Sequence, residues 1–150
     1  MTALTLKHPW PYAVAAGGKP IENRTWPPPA PAVGRWHGLH GGVDPRGRAR
    51  DEAAAALAEL ISRGLVPPVS LERAIRPDMV GVWRLAGVVG PDDDLADDPW
   101  FGGPFGWHFP EVVVFKEPIP CKGAQGLWLV PEDVVAEMRR RWAEVKGGAS

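Results

Sequence analysis

One cysteine and one tyrosine stand in a chain of 150 residues, and no surplus of positive charge accompanies them. The single thiol, Cys121, can close no disulfide within the chain and cannot found a cysteine-based zinc cluster, which suits a reducing compartment. No run approaches the roughly 20 apolar residues that cross a bilayer. The N-terminus also lacks a charged start followed by an apolar stretch and a small-residue cleavage site. These absences predict a soluble, cytoplasmic protein with no membrane partner. With 17 basic and 18 acidic residues the formal net charge is -1. No general cationic field is available to hold nucleic acid, so any such binding has to be local.

What is abundant is proline, glycine and tryptophan: 18, 18 and 8 residues. Such Pro and Gly content favours short strands joined by many turns over a helical bundle. The tryptophans suit either a compact core or a set of stacking platforms for bases. With 45% hydrophobic residues the chain can fill one core, and its length fits one domain over residues 1–150.

Along the chain, Leu4 to Leu6 alternates as a short strand, and Pro9 and Pro11 suit the start of a helix from Trp10 to Ala16 that ends at Gly17-Gly18. The Pro27-Pro28-Pro29 run predicts an extended loop. Gly34 to Gly42 reads as a glycine-rich strand. Ala53, Ala56, Leu57, Leu60 and Ile61 recur at helical spacing, which predicts a helix from Glu52 to Arg63 with Asp51 as its cap. Ser70 is positioned to cap a further turn. Met79 to Val89 reads as one strand, as does Trp107 to Phe115, and Gly126 to Leu129 as another. Between Pro91 and Pro99 crowded aspartates predict a solvated loop. A final helix starts near Pro131, with Glu132 and Asp133 in its first turn and Arg139 to Arg141 towards its end. The sum is a mixed α/β chain, and helices around a small barrel are its natural packing.

The most informative segment is Gly18-Lys19-Pro20-Ile21-Glu22-Asn23-Arg24. Extended alternation puts Glu22, Arg24 and Trp26 on one side of a strand, next to a lysine held at a turn. Such a group can bind phosphate through Lys19 and Arg24, accept from a base amino group through Glu22 and stack a ring on Trp26. It equally suits a polar edge closed by mutual pairing with Trp26 in the core. His37 and His40 sit three apart, on opposite faces of a strand, which argues against a metal pair and leaves His40 as a possible hydrogen-bonding wall of a cleft. The Trp100 to Trp107 stretch mixes rings with glycines. Lys122 and Gln125 tip another glycine-rich turn, able to meet phosphate and a base edge.

Four separated blocks resemble, in order, the ASCH family of the PUA-like superfamily. They are His8-Pro9-Trp10, the stretch Gly18 to Trp26, which with the Gly17 before it matches the signature G-x-K-x-x-E-x-R, Phe105-Gly106-Trp107, and Lys122 to Trp128; Leu39-His40 resembles the end of the family's next strand. The resemblance covers about residues 3 to 135. It implies a PUA-like β-barrel with flanking helices and a cleft that takes RNA, DNA or a nucleotide, with no cofactor. The resemblance puts Lys19, Glu22 and Arg24 on the pocket wall, and with the residues read above the expected ligand-binding set is Lys19, Glu22, Arg24, Trp26, His40, Trp107, Lys122 and Gln125. Some relatives are hydrolases, either ribonucleases or an amidohydrolase of acetylated cytidine, which makes Lys19 and Glu22 the catalytic candidates. Glu22 occupies the place of that amidohydrolase's threonine nucleophile, and Gly34-Arg35 reverses the family's usual order.

Overall fold

A computed structural model describes residues 1–148 as a mixed α/β arrangement of four helices and two sheets, with no closed barrel among them. In chain order the elements are β1 (Thr2–Leu6), α1 (Trp10–Gly17), β2 (Ile21–Arg24), β3 (Trp36–Gly41), α2 (Arg48–Ser62), α3 (Leu71–Ala74), β4 (Asp78–Arg84), β5 (Gly87–Val89), β6 (Phe105–His108), β7 (Glu111–Ile119), β8 (Leu127–Leu129) and α4 (Glu132–Gly148). A five-stranded sheet runs in the order β7-β4-β3-β1-β8, and a three-stranded sheet in the order β2-β6-β5. β1 and β3 are parallel, joined by the crossover through α1 and β2; the remaining pairs are antiparallel.

Two stretches expected as single strands are each broken in two, and each break passes the chain from one sheet to the other. Leu85 leaves the ladder because its amide donates to Arg35 O and its carbonyl accepts from Gly34 N. At Phe109-Pro110 the proline has no amide to donate, and the Phe109 amide turns to Pro20 O at 2.7 Å. Apolar character continues through both corners because the same core lies under both sheets. Trp83 and Phe109, from either side of that core, stack with ring centroids 3.8 Å apart. Leu4, Leu6, Leu39 and Trp107 belong to the same core.

α1 and α2 share a second cluster of Tyr12, Ala13, Leu57 and Leu60, while α4 covers β7 with Val135 and Met138. α2 begins earlier than its apolar spacing predicts. Gly47, not Asp51, precedes its first turn, and Asp51 lies within that turn, where a carboxylate favours the helix dipole. Ser70 does cap α3, its hydroxyl accepting from Arg73 N at 3.4 Å. In the aspartate loop Asp94–Asp97 forms a single helical turn, the Asp93 carboxylate accepts from Gly90 N and Asp98 accepts from Trp100 N at 2.8 Å. Among the described residues, no helix is long and apolar enough to cross a membrane.

Candidate functional site

α1 stops where Gly18 adopts a left-handed conformation, φ 66°, which costs glycine nothing. The chain then turns so that Lys19 faces back over α1, its ammonium 5.0 Å from the centre of the Trp10 ring. β2 follows directly and, by alternation, carries Glu22 and Arg24 on one face. Glu22 receives both cations: Lys19 Nζ lies 3.1 Å from Oε1 and Arg24 Nη2 lies 3.1 Å from Oε2. Lys19 and Glu22 are 4% and 7% exposed, so this pairing is what makes their burial tolerable. Arg24 Nη2 also donates to Thr5 O, and its Nε is buried with no partner.

β2 ends at Arg24, so Trp26 does not continue the alternating face as expected. The chain bends, and Trp26 packs edge-on against Trp107 at 4.7 Å while its carbonyl accepts from Trp107 Nε1. Trp107 itself is fully buried. It belongs to the core beneath Trp26, and the expected stacking role does not fit that position.

The opposite wall is organised by His40 at the end of β3. Trp128 Nε1 donates to Thr5 Oγ1 at 2.9 Å, which leaves the hydroxyl proton for His40 Nδ1 at 3.0 Å. His40 Nε2 then donates to Cys121 O at 2.7 Å, while Cys121 N donates to Asp78 Oδ1 at 3.2 Å. Asp78 holds this bond from a left-handed conformation, φ 73°, which a side chain rarely adopts. Held at that peptide, the loop that follows presents exposed Lys122 and Gln125. Gly123 lies so close that a Cβ there would stand 2.3 Å from Thr5 Oγ1. Burial, followed by the charges of Asp78 and Asp133, raises the Cys121 thiol above its ordinary value, so the sulfur stays protonated.

Between the two walls lies a cavity of about 1790 Å³. It brings together Lys19, Glu22, Arg24 and Trp26 with His40, Lys122 and Gln125. Trp107 is not among its lining residues. Thr5, Trp10, Asn23, Asp78 and Trp100 also line it and were not expected as site residues. Thr5 and Asp78 carry no motif, whereas Trp10, Asn23 and Trp100 each lie inside a stretch that the sequence singled out, Asn23 between Glu22 and Arg24. Among the described residues, no three His, Cys, Asp or Glu side chains gather closely enough to hold a metal ion.

Two further histidines act as buried bridges. His8 Nε2 donates to Gly42 O and its Nδ1 accepts from Arg76 N, while His37 Nε2 donates to Ala32 O with Thr2 at Nδ1. Burial lowers both below the ordinary 6.5, against the opposing pull of those carbonyl bonds. Between the lowered values and 6.5 the unfolded chain binds more protons than the folded one, so stability is lost as pH falls through that window. Urea midpoints are therefore expected to fall between about pH 7 and about pH 5, and His37→Asn is expected to flatten that fall. An identical slope in the variant would exclude His37 as a source.

No protein-family model matches the chain, and a search of the curated proteins finds no relative.

Proposed function

We propose that this chain is a nucleic-acid or nucleotide binding module, an ASCH-type domain whose cleft takes RNA, single-stranded DNA or a modified nucleoside. The carrying observation is the charge of the cleft. In a chain of net charge -1, its lining cations Lys7, Lys19, Arg24, Arg63 and Lys122 outnumber its lining anions Glu22, Glu52 and Asp78. A local excess of that sign, in one concavity beside half-buried indoles, is what a local anion-binding site in a neutral protein requires. The two corners where strands pass between sheets over one core support reading the pair of sheets as an open PUA-like barrel.

Lys7 and Lys122 are exposed on the cleft wall, so removing them tests the reading without disturbing the core. Short single-stranded RNA and DNA are expected to bind with steep salt dependence. Lys7→Ala combined with Lys122→Ala is expected to reduce the logarithmic salt slope by about 1.4, two phosphates at roughly 0.7 each. Lys19→Ala with Arg24→Ala is expected to abolish binding in whatever fraction remains folded. Absence of binding by wild type to RNA, DNA and free nucleotides alike overturns the proposal.

A second reading is hydrolysis of the same ligands, with Lys19 polarising the substrate and Glu22 as general base. Their contact on the cleft wall supports it. Both Glu22 oxygens are engaged by cations, which favours binding over catalysis. Labelled RNA and acylated nucleosides incubated with wild type and Glu22→Gln separate the two: product from wild type alone would establish the hydrolase.

A further inference from the structure

We propose that Trp100 is a stacking wall for the ligand's base, and that Asn23 is the positioning residue that holds it there; this rests on the nucleic-acid reading above.

Trp107 cannot serve as a stacking face because it is fully buried. Trp100 can: it lines the cavity and is half-buried. One side of the indole is seated on the cluster formed by α1 and α2, and a Cβ on Gly17 would stand 3.4 Å from its Cζ2. A ring supported on one side and facing a cavity on another is the arrangement that sequence-tolerant stacking uses, because every base offers a π-face.

The backbone of this loop belongs to neither sheet, yet it is held at several points by a single side chain. Asn23 Nδ2 donates to Trp100 O at 2.9 Å, and its Oδ1 accepts from Gly102 N at 2.9 Å and Gly103 N at 3.2 Å. Asp98 adds a bond to Trp100 N at 2.8 Å. Asn23 lies on β2 between Glu22 and Arg24, so the loop takes its register from the strand that carries the charged row. The carboxamide is matched to the task, since it donates from one end and accepts at the other. Aspartate would keep the acceptor but turn a repulsive oxygen towards Trp100 O.

The test uses a fluorescently labelled oligoadenylate RNA eight nucleotides long and a strand of the same length with an abasic site at each position. It adds amide hydrogen exchange read at Gly102 and Gly103 without ligand. Trp100→Ala is expected to weaken oligoadenylate binding about tenfold or more, with Trp100→Phe restoring most of it. Abasic-strand binding is expected to stay unchanged, because there is no base to stack. Asn23→Ala is expected to speed exchange at Gly102 and Gly103 by about tenfold or more and to weaken oligoadenylate but not abasic binding. Equal loss for both strands in Trp100→Ala would assign the ring a structural role and overturn the contact. Unchanged exchange in Asn23→Ala would overturn the positioning role. If wild type binds neither strand, the nucleic-acid reading falls and takes the contact with it, while the exchange data still decide whether Asn23 holds the loop.

Discussion

Glu22→Ala is expected to lower the stability of the folded chain by about 3 kcal/mol, more than loss of either of its cationic partners. The reason is an asymmetry of charge. Glu22 is the one acid in a row of three charged residues, bonded at one oxygen to Lys19 and at the other to Arg24. Replace Lys19 with methionine and Glu22 keeps Arg24. Replace Glu22 and two cations face each other, one of them on a lysine only 4% exposed. An uncompensated buried charge costs about 3–5 kcal/mol, and the lower end applies here because Lys19 borders a cavity that water can enter. Urea unfolding of Glu22→Ala, Lys19→Met and the pair Lys19→Met with Glu22→Leu checks this. The double variant is expected to recover much of the loss, since an apolar pair of similar volume replaces the buried ion pair. A Glu22→Ala variant no less stable than Lys19→Met would mean that the acid is not the hub of the row.

That row was readable in the sequence because its members are neighbours. Alternation along an extended segment puts Glu22 and Arg24 on one face whatever the rest of the chain does, and a glycine-ended helix delivers Lys19 beside them. The opposite wall was readable only in part: His40, Lys122 and Gln125 were picked out, but the bonds that join them to the fold were not. Thr5, His40, Asp78, Cys121 and Trp128 meet across separations that no local rule spans, and only the pairing of β1 with β3 and β8 brings most of them together. Among the tryptophans, composition gave no means of sorting core from cleft. Trp107 and Trp100 differ because one sends its side chain from β6 into the core between the sheets and the other lies on a loop.

The fold divides along similar lines. β1 and the apolar face of α2 followed from periodicity, α1 from its proline start and glycine end, and β8 from a short apolar run. The two corners were hidden because hydrophobic character runs straight through them. Pro110 was an overlooked signal for one of them, as a residue that cannot donate within a central strand. Leu85-Ala86 carried no mark, and its bend is set by the Gly34 and Arg35 backbone, far off in sequence. The start of α2 was missed because Gly47 provides no side-chain cap.

Gly41→Ala is expected to cost about 3 kcal/mol or more, at the upper end of what overpacking does, because the clash is between backbones. A Cβ at Gly41 would lie 1.8 Å from Arg76 O and 2.9 Å from Arg76 C. No side chain can rotate away, so the segment before β4 has to move. That movement reaches the cleft. Arg76 N donates to His8, whose other nitrogen is tied to Gly42 O, and two residues on Asp78 holds the amide of Cys121. Displacing this segment therefore pulls on the peptide that positions Lys122 and Gln125 from below. The neighbouring Gly42→Ala is the control, since a Cβ there would meet Leu6 O at an ordinary 3.6 Å, and its cost is expected to be about 1 kcal/mol or less. If the two variants unfold at the same urea concentration, β3 does not pass so close to the Arg76 carbonyl. If Gly41→Ala is unstable but binds oligonucleotides as wild type does, the link from this strand end to the cleft wall is broken. The expected outcome is a joint loss, in which stability and affinity fall together in Gly41→Ala and neither changes appreciably in Gly42→Ala.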